Sequence, residues 1–255
     1  MLEHKITAAA LKAMKGRQQI AALTAYDFPL TRILDEEGIP LILVGDSLGM
    51  VVLGYPDTTQ VTMSDMEHHV RAVSRAKPKA LVAADLPYHS YDSVEAALSN
   101  SRRLVAAGAE AVKAEGGRSI LPQVRAVIDS GIPFIGHLGM LPQSVLEEGG
   151  YHIKGKIESE HEALLADIKA LADAGACAVV LELVTAAVAD EMTRSVDVPT
   201  LGIGSGPDCD GQILVTPDLL GTSPGFIPKH VKDRGDLRSD MHRMVARWRD
   251  SLPAR

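Results

Sequence analysis

Short runs of branched apolar residues alternate along this chain with longer segments whose apolar residues recur at helical spacing. The short runs predict strands at residues 20–24, 41–44, 81–84, 111–114, 132–136, 178–181, 200–203 and 212–215. The intervening segments predict helices at residues 29–37, 64–76, 93–107, 120–130, 159–174 and 186–195. Because the strands show little alternation with polar residues, we expect a parallel sheet that is covered on both faces.

The order of these elements predicts one α/β domain, a single (β/α)8 TIM barrel over residues 1–255. Strand ends recur at regular intervals, as at positions 24 and 46, 115 and 137, and 182 and 205. A doubly wound dinucleotide-binding sheet is the alternative. It is the weaker one, because the glycine-rich stretch from Gly202 to Gly206 is not followed by a helix with the required third glycine.

Two predicted helices lie outside the barrel repeat. One is N-terminal, at residues 7–15, and we expect it to close the bottom of the barrel. The other is a C-terminal amphipathic helix at residues 237–252. Its apolar stripe consists of Leu237, Met241, Met244, Val245, Trp248 and Leu252. We expect this stripe to lie in the core or at a subunit interface.

Two helix starts have the sequence of a capping box, in which a serine and a glutamate three residues later bind each other's backbone amides. They are Ser64 with Glu67 and Ser159 with Glu162. The second follows a glycine-rich interval at residues 138–158, where we expect the most mobile loop of the chain.

Charge and composition limit the classes of partner. The net charge is −7 and aromatic residues make up only 4%, which argues against nucleic-acid binding. No apolar run reaches the length of ~18 residues that a membrane-spanning helix needs, and no hydrophobic signal region follows Met1. Cys177 and Cys209 lack CxxC spacing and are expected to be reduced, structural thiols. We therefore expect a cytoplasmic protein that acts on small molecules.

Polar residues stand where most of the predicted strands end. They are Tyr26, Asp27, Asp46, Ser47, Asp85, Lys113, Glu115, His137, Glu182 and Ser205. In a barrel the carboxyl ends of all strands share one mouth, which is where active sites lie. Any one of these carboxylates could instead cap the helix that follows it, and Asp46 and Asp85 are equally compatible with that structural role.

Taken together, Asp46, Asp85 and Glu115 predict a metal site. Three carboxylates on successive strands would repel one another, and burying them without a partner is costly. Oxygen ligands without paired cysteines or histidines favour Mg²⁺, with water or substrate completing the octahedron.

Three further residues fit proton abstraction beside a carbonyl. Lys113 could hold an anionic oxygen or form a structural ion pair with Asp85 or Glu115. His137 could donate to a substrate carboxylate or be satisfied by backbone. Glu182 closes an apolar strand, so we expect a raised pKa that suits a general base, unless it is a capping or salt-bridged residue. A 2-oxo acid could chelate Mg²⁺, which would stabilise an enolate.

Six ordered segments together resemble the ketopantoate hydroxymethyltransferase family over roughly residues 5–232. The segments are Thr24-Ala25-Tyr26-Asp27, Val44-Gly45-Asp46-Ser47-Leu48-Gly49, Asp85-Leu86-Pro87, Val112-Lys113-Ala114-Glu115-Gly116-Gly117, Gly136-His137-Leu138-Gly139, and Gly202 to Gly206 continuing to Asp210-Gly211-Gln212. The resemblance implies a barrel of the phosphoenolpyruvate/pyruvate type. It also implies transfer of a one-carbon unit from 5,10-methylenetetrahydrofolate to 3-methyl-2-oxobutanoate, which gives 2-dehydropantoate for pantothenate and coenzyme A synthesis.

The resemblance also implies roles for individual residues. Asp46, Asp85 and Glu115 would gather around Mg²⁺, with one acting through water. Asp46, Ser47, Asp85 and Lys113 would hold the keto acid, with His137 beside it, and Glu182 would be the proton acceptor. Members form large homo-oligomers, commonly decamers. In three places the chain departs from the pattern: Thr185 stands in place of proline, Tyr88 in place of phenylalanine and Ser205 in place of alanine.

Two other functions remain open from the residues alone. One is a metal-dependent 2-oxo-acid aldolase or lyase, which would form the same enolate but use a free aldehyde. The other is a barrel that binds a keto acid without catalysis.

Overall fold

The computed structural model describes residues 2–225, 227–232 and 234–253. Eight parallel strands form a closed barrel in which each strand pairs with the next in sequence, as predicted. The strands are β1 (Ile20–Thr24), β2 (Leu41–Val44), β3 (Leu81–Asp85), β4 (Ala111–Glu115), β5 (Phe134–Gly139), β6 (Ala178–Glu182), β7 (Thr200–Ile203) and β8 (Gly211–Leu214).

Helices follow most of the strands. In the described parts of the chain they are α1 (Ala8–Lys12), α2 (Phe28–Glu36), α3 (Leu48–Val51), α4 (Met63–Ser74), α5 (Val94–Ala107), α6 (Leu121–Asp129), α7 (Glu158–Asp173), α8 (Ala186–Arg194), α9 (Thr216–Leu220) and α10 (Leu237–Asp250). Two short 3₁₀ turns lie at Arg118–Ile120 and Pro142–Ser144. The short helix α3 falls just after β2 and was not predicted.

Strand β5 starts and ends later than expected. It was predicted at residues 132–136, but the structure has it at Phe134–Gly139. Pro133 has no N–H to contribute to the sheet, although its carbonyl accepts a bond from Val112 N at 3.0 Å. As a result, His137 lies within the strand and not just beyond it.

Neither predicted capping box forms. The N-cap of helix α4 lies two residues earlier than predicted, at Thr62, which forms the reciprocal box with Asp65. Helix α7 begins at Glu158 with Ile157 at the N-cap, and no side chain caps it. In α4 the reason is competition between overlapping motifs, because Thr62, two residues before Ser64, has an aspartate at the same spacing, Asp65.

The barrel interior is filled with apolar side chains below a polar upper layer. Its cluster of buried residues consists of Leu11, Ile20, Ala22, Leu41, Leu43, Leu81, Ala83, Ala111, Ile135, Cys177, Ala178, Val180, Leu201 and Ile213. Leu11 of α1 is fully buried in this cluster, which agrees with the expected closing role of the N-terminal helix. Since inward-facing residues alternate along a strand, Asp85 follows Ala83, and Lys113 and Glu115 follow Ala111, on the same face.

The described chain divides into two compact units between residues 213 and 214. The first contains the barrel strands up to Ile213, and the second contains α9 and α10. The single domain over residues 1–255 therefore stays a prediction. The apolar stripe of α10 is 40% to 67% exposed and does not lie in a core, which leaves only the interface prediction open. Across the described residues, no helix is both long enough and apolar enough to cross a membrane.

Candidate active site at the barrel mouth

Five charged side chains are buried together where strands β2 to β5 end. Asp46, Asp85, Lys113, Glu115 and His137 are between 2% and 5% exposed. The sheet register explains their proximity, because Asp85 pairs with Lys113 and Glu115 pairs with His137 on neighbouring strands. The structure thus brings together the residues that the sequence placed at these strand ends.

Asp85 connects the residues of β2 and β4. Its Oδ2 accepts a bond from the Asp46 backbone N–H at 3.0 Å, and its Oδ1 lies 2.9 Å from Lys113 Nζ. The ion pair with Lys113 is the structural alternative raised from the sequence. Burial lowers the pKa of the Lys113 ammonium, but the carboxylates of Asp85, Glu115 and Asp46 outweigh this effect and raise the pKa above its usual range. Lys113 is therefore a fixed positive charge.

The carboxyl group of Asp46 is buried close to two other carboxylates. Burial, followed by the charges of Asp85 and Glu115, raises the pKa of Asp46 well above its usual range. Lys113 opposes this shift without cancelling it. The mouth therefore holds an excess of negative charge that favours a bound cation.

His137 lies between two carboxylates and the lysine. Its Nδ1 is 3.4 Å from Glu115 Oε1 and 3.3 Å from Lys113 Nζ, and its Nε2 is 3.3 Å from Glu182 Oε2. Burial and Lys113 lower the pKa of His137, but Glu115 and Glu182 prevail and raise it to about 9. At neutral pH the ring is therefore an imidazolium, with one nitrogen facing each carboxylate.

The backbone around Glu182 is held from several sides. Its carbonyl accepts from Met140 N at 2.8 Å, and the next amide, Leu183 N, donates to Ile203 O at 2.9 Å. Leu183 adopts a positive φ of 48°, which is strained for a leucine. Gly139 has a φ of 99°, and a Cβ there would lie 2.2 Å from the Glu182 carbonyl oxygen, so only glycine fits.

Two departures from the family pattern contribute to this same loop. Thr185 N, an N–H that proline lacks, donates to Lys154 O at 3.0 Å. Ser205 is not directed at the charged cluster. Its Oγ accepts from Val184 N at 3.0 Å and donates to Leu181 O at 2.7 Å. Both residues therefore support the segment that carries Glu182.

Replacing Ser205 with alanine is expected to destabilise the fold by about 1–3 kcal/mol, because the buried Val184 N–H loses its acceptor. Urea unfolding monitored by circular dichroism measures the loss. Ser159→Ala is the matched control, since Ser159 is exposed and caps no helix, and its effect should stay within about 0.5 kcal/mol. Equal stabilities of the two variants would contradict the support that we assign to Ser205.

Of the polar residues just after β1, Asp27 has a structural role, whereas Tyr26 contacts Ser47 at the candidate site. Asp27 caps α2, where its carboxylate accepts from Leu30 N at 2.8 Å, so the capping alternative is right for this residue. Tyr26 OH lies 2.8 Å from Ser47 Oγ. Burial raises the pKa of Tyr26 above its usual range, and the phenol therefore stays protonated.

Two residues of the site were not predicted from the sequence. Gln143 is 3% exposed and contacts the carboxylates of both Asp46 and Glu115, and Tyr91 OH donates to Gln143 Oε1 at 2.6 Å. Tyr91 lies in a loop and Gln143 in a short 3₁₀ turn, and periodicity predicts the position of neither. Glutamine also carries none of the charge that marked the other residues.

The carboxylates fit a hydrated divalent cation. No set of three or more His, Cys, Asp or Glu side chains in the described residues forms an arrangement that could hold a metal ion by itself. Mg²⁺ needs no such cage, because it is usually bound by one or two carboxylates with water and substrate. Glu115 Oε1 is a buried acceptor without an aligned hydrogen-bond donor, and Asp85 Oδ1 has only its ion pair with Lys113. A cation with its water ligands would satisfy both oxygens.

Comparisons with known proteins place this chain among close relatives. A family model described as ketopantoate hydroxymethyltransferase matches residues 5–255. A 3-methyl-2-oxobutanoate hydroxymethyltransferase from Thermoanaerobacter sp. (strain X514) is 51% identical over 243 residues, which cover 94% of this chain and 89% of the relative. A relative of the same name from Ignicoccus hospitalis is 52% identical, and the match covers 95% of this chain and 92% of the relative.

Similar solved structures agree on the fold. A 2,3-dimethylmalate lyase of the PEP mutase/isocitrate lyase superfamily has a TM-score of 0.65 at 18% identity and covers 97% of this chain and 89% of its own. A phosphonopyruvate hydrolase in complex with oxalate and Mg²⁺ has a TM-score of 0.66 at 14% identity. The match covers 97% of this chain and 91% of the hydrolase chain. At these identities the likeness establishes a shared barrel.

Proposed function

Since the chain belongs to the ketopantoate hydroxymethyltransferase family, we propose that it transfers a hydroxymethyl group to 3-methyl-2-oxobutanoate to give 2-dehydropantoate. The donor is 5,10-methylenetetrahydrofolate, and the reaction belongs to pantothenate and coenzyme A synthesis. The observation that carries the proposal is the burial of Asp46, Asp85, Lys113, Glu115 and His137 at one barrel mouth, with Glu182 beside them. This set can bind a 2-oxo acid and remove its C3 proton.

Asp46, Asp85 and Glu115 would hold a divalent cation, Mg²⁺, with water and substrate as its other ligands. When bound, the cation stabilises negative charge on the keto oxygen of the substrate. The chain supplies the ligands as buried oxygens from three adjacent strands, so little reorganisation is needed. A phosphonopyruvate hydrolase with a similar barrel has been solved in complex with oxalate and Mg²⁺, which supports a role for this cation on the fold.

Lys113 and His137 provide positive charge for the substrate. Both side chains are cationic at neutral pH and buried, where attraction for an anion is stronger than in water. Ser47, with Tyr26 on its other side, donates a hydrogen bond to the keto acid. Together these groups orient the carboxylate and keto oxygens toward the centre of the mouth.

Glu182 removes the proton from C3. Its carboxylate takes the proton while the electrons of the C–H bond move toward the carbonyl. C3 then forms a bond to the methylene carbon of the folate, whose bonds to the two folate nitrogens break as water supplies the hydroxyl group and tetrahydrofolate leaves. The Glu182 Oε2 is 3.3 Å from His137 Nε2, so the imidazolium lies beside the carboxylate that takes the proton. The hydrogen bonds on both sides of Glu182 hold this geometry.

Assembly and location follow as further proposals. The exposed apolar stripe of α10 supports a homo-oligomer, with the decamer of the family as the expected state. Biosynthetic use of water-soluble substrates fits a cytoplasmic location.

Hydrogen exchange tests the proposal. Proton NMR in deuterated water should show exchange at C3 of 3-methyl-2-oxobutanoate with protein and Mg²⁺, without folate, and a chelator should reduce the rate to the background. Addition of 5,10-methylenetetrahydrofolate should then give 2-dehydropantoate. Equally fast product formation from free aldehydes would favour the aldolase alternative. Keto-acid binding with no exchange, with or without folate, would favour the non-catalytic barrel.

A further inference from the structure

Gln143 occupies the centre of the charged cluster without carrying charge. It lies in the 3₁₀ turn at Pro142–Ser144, beyond the end of β5, and is 3% exposed. Its backbone N–H donates to Glu115 Oε2 at 3.0 Å, and its Nε2 donates to Asp46 Oδ2 at 2.7 Å and to Leu86 O at 3.0 Å. One residue therefore connects the ends of β2, β3 and β4.

The chemistry of its partners fixes the orientation of the amide. Leu86 O can only accept, so the side-chain atom facing it must be the NH₂ group. On the other side, Tyr91 OH donates to Oε1 at 2.6 Å. Each polar group of the amide has a complementary partner, and a flipped amide would place an acceptor against an acceptor.

These bonds also decide which carboxylate oxygens are free. Gln143 donates to Oδ2 of Asp46 and Oε2 of Glu115, while Oε1 of Glu115 accepts no aligned hydrogen bond and has His137 Nδ1 at 3.4 Å. A neutral donor orients a carboxylate without neutralising it, so both groups keep their attraction for a cation. Partners of this kind around metal ligands set ligand direction and affinity.

We propose that Gln143 is a positioning residue for the divalent-cation site, and that Tyr91 holds its amide in the required orientation. The inference rests on the proposed function, because it assumes that Asp46 and Glu115 bind the cation. It assigns part of the cation affinity to a segment of the chain that contributes no charged ligand.

The test measures affinity for Mn²⁺, as a stand-in for Mg²⁺, by titration followed by electron paramagnetic resonance, without substrate. Gln143→Met, which keeps the size of the side chain and removes its donors, should weaken Mn²⁺ binding by about 10- to 100-fold. Tyr91→Phe should weaken it less than Gln143→Met does. Gln18→Met, at an exposed glutamine, should bind as the wild type does.

A second readout separates positioning from general loss of structure. At saturating Mg²⁺ the C3 exchange rate of folded Gln143→Met should recover most of the wild-type value, because the cation is then bound despite its lower affinity. Unchanged Mn²⁺ affinity in folded Gln143→Met would overturn the inference. Should that variant fail to fold, unchanged affinity in Tyr91→Phe would overturn it, and weaker binding would support it. Failure of the wild-type protein to bind Mn²⁺ would instead overturn the proposed function.

Discussion

Replacing Glu182 with glutamine is expected to slow exchange at C3 of 3-methyl-2-oxobutanoate by about 10²- to 10⁴-fold. The amide cannot accept the proton, whereas the buried groups that hold the keto acid remain in place. Keto-acid affinity, measured by calorimetry in the presence of Mg²⁺, should change by no more than a few-fold. The variant therefore separates binding from proton transfer.

Glu162→Gln is the matched control for this experiment, because Glu162 is exposed on α7 and lies outside the site. Its exchange rate should equal that of the wild type. If folded Glu182→Gln exchanged as fast as the wild type, Glu182 would lose its role as the base, and another group at the mouth would have to be sought.

Replacing Asp85 with alanine has the second of the two largest expected effects, a loss of metal-assisted exchange of about 10³-fold or more. The change removes a proposed cation ligand, the acceptor of the Asp46 N–H and the ion-pair partner of Lys113. Exchange is measured over a Mg²⁺ titration, and circular dichroism checks that the fold is intact.

Asp85→Asn and Asp129→Asn complete the comparison. Asp85→Asn keeps the shape of the side chain and should retain the fold while losing most of the activity. Asp129 is exposed at the end of α6, and its substitution should have no effect. A folded Asp85→Ala variant with wild-type exchange would exclude Asp85 from the metal site.

The barrel and most of the candidate site could be predicted because the fold itself brings distant parts of the sequence together. Strand ends meet at one mouth, so polar residues at strand ends far apart in sequence become neighbours. The alternation of inward-facing residues then places Asp85, Lys113 and Glu115 in the same layer. No local pattern, however, distinguished Asp27, which caps a helix, from Asp46, which lies in the charged cluster.

The features that the sequence did not predict depend on contacts between segments outside the regular strands and helices. Gln143 and Tyr91 reach the site along loops whose path no periodicity defines. The role of Ser205 depends on the positive φ of Leu183, which turns the next amide toward the serine oxygen. Such features follow from tertiary geometry, and a single sequence does not encode them as a motif.

The single tryptophan of the chain determines what its intrinsic fluorescence can report. Trp248 lies in α10 and is 65% exposed, so its emission depends on what surrounds that helix. Covering α10 by another subunit would shift the emission to shorter wavelength while circular dichroism stayed constant. If unfolding transitions followed by fluorescence and by circular dichroism differed, the difference could therefore come from the surroundings of α10, and it would not prove a folding intermediate in the barrel.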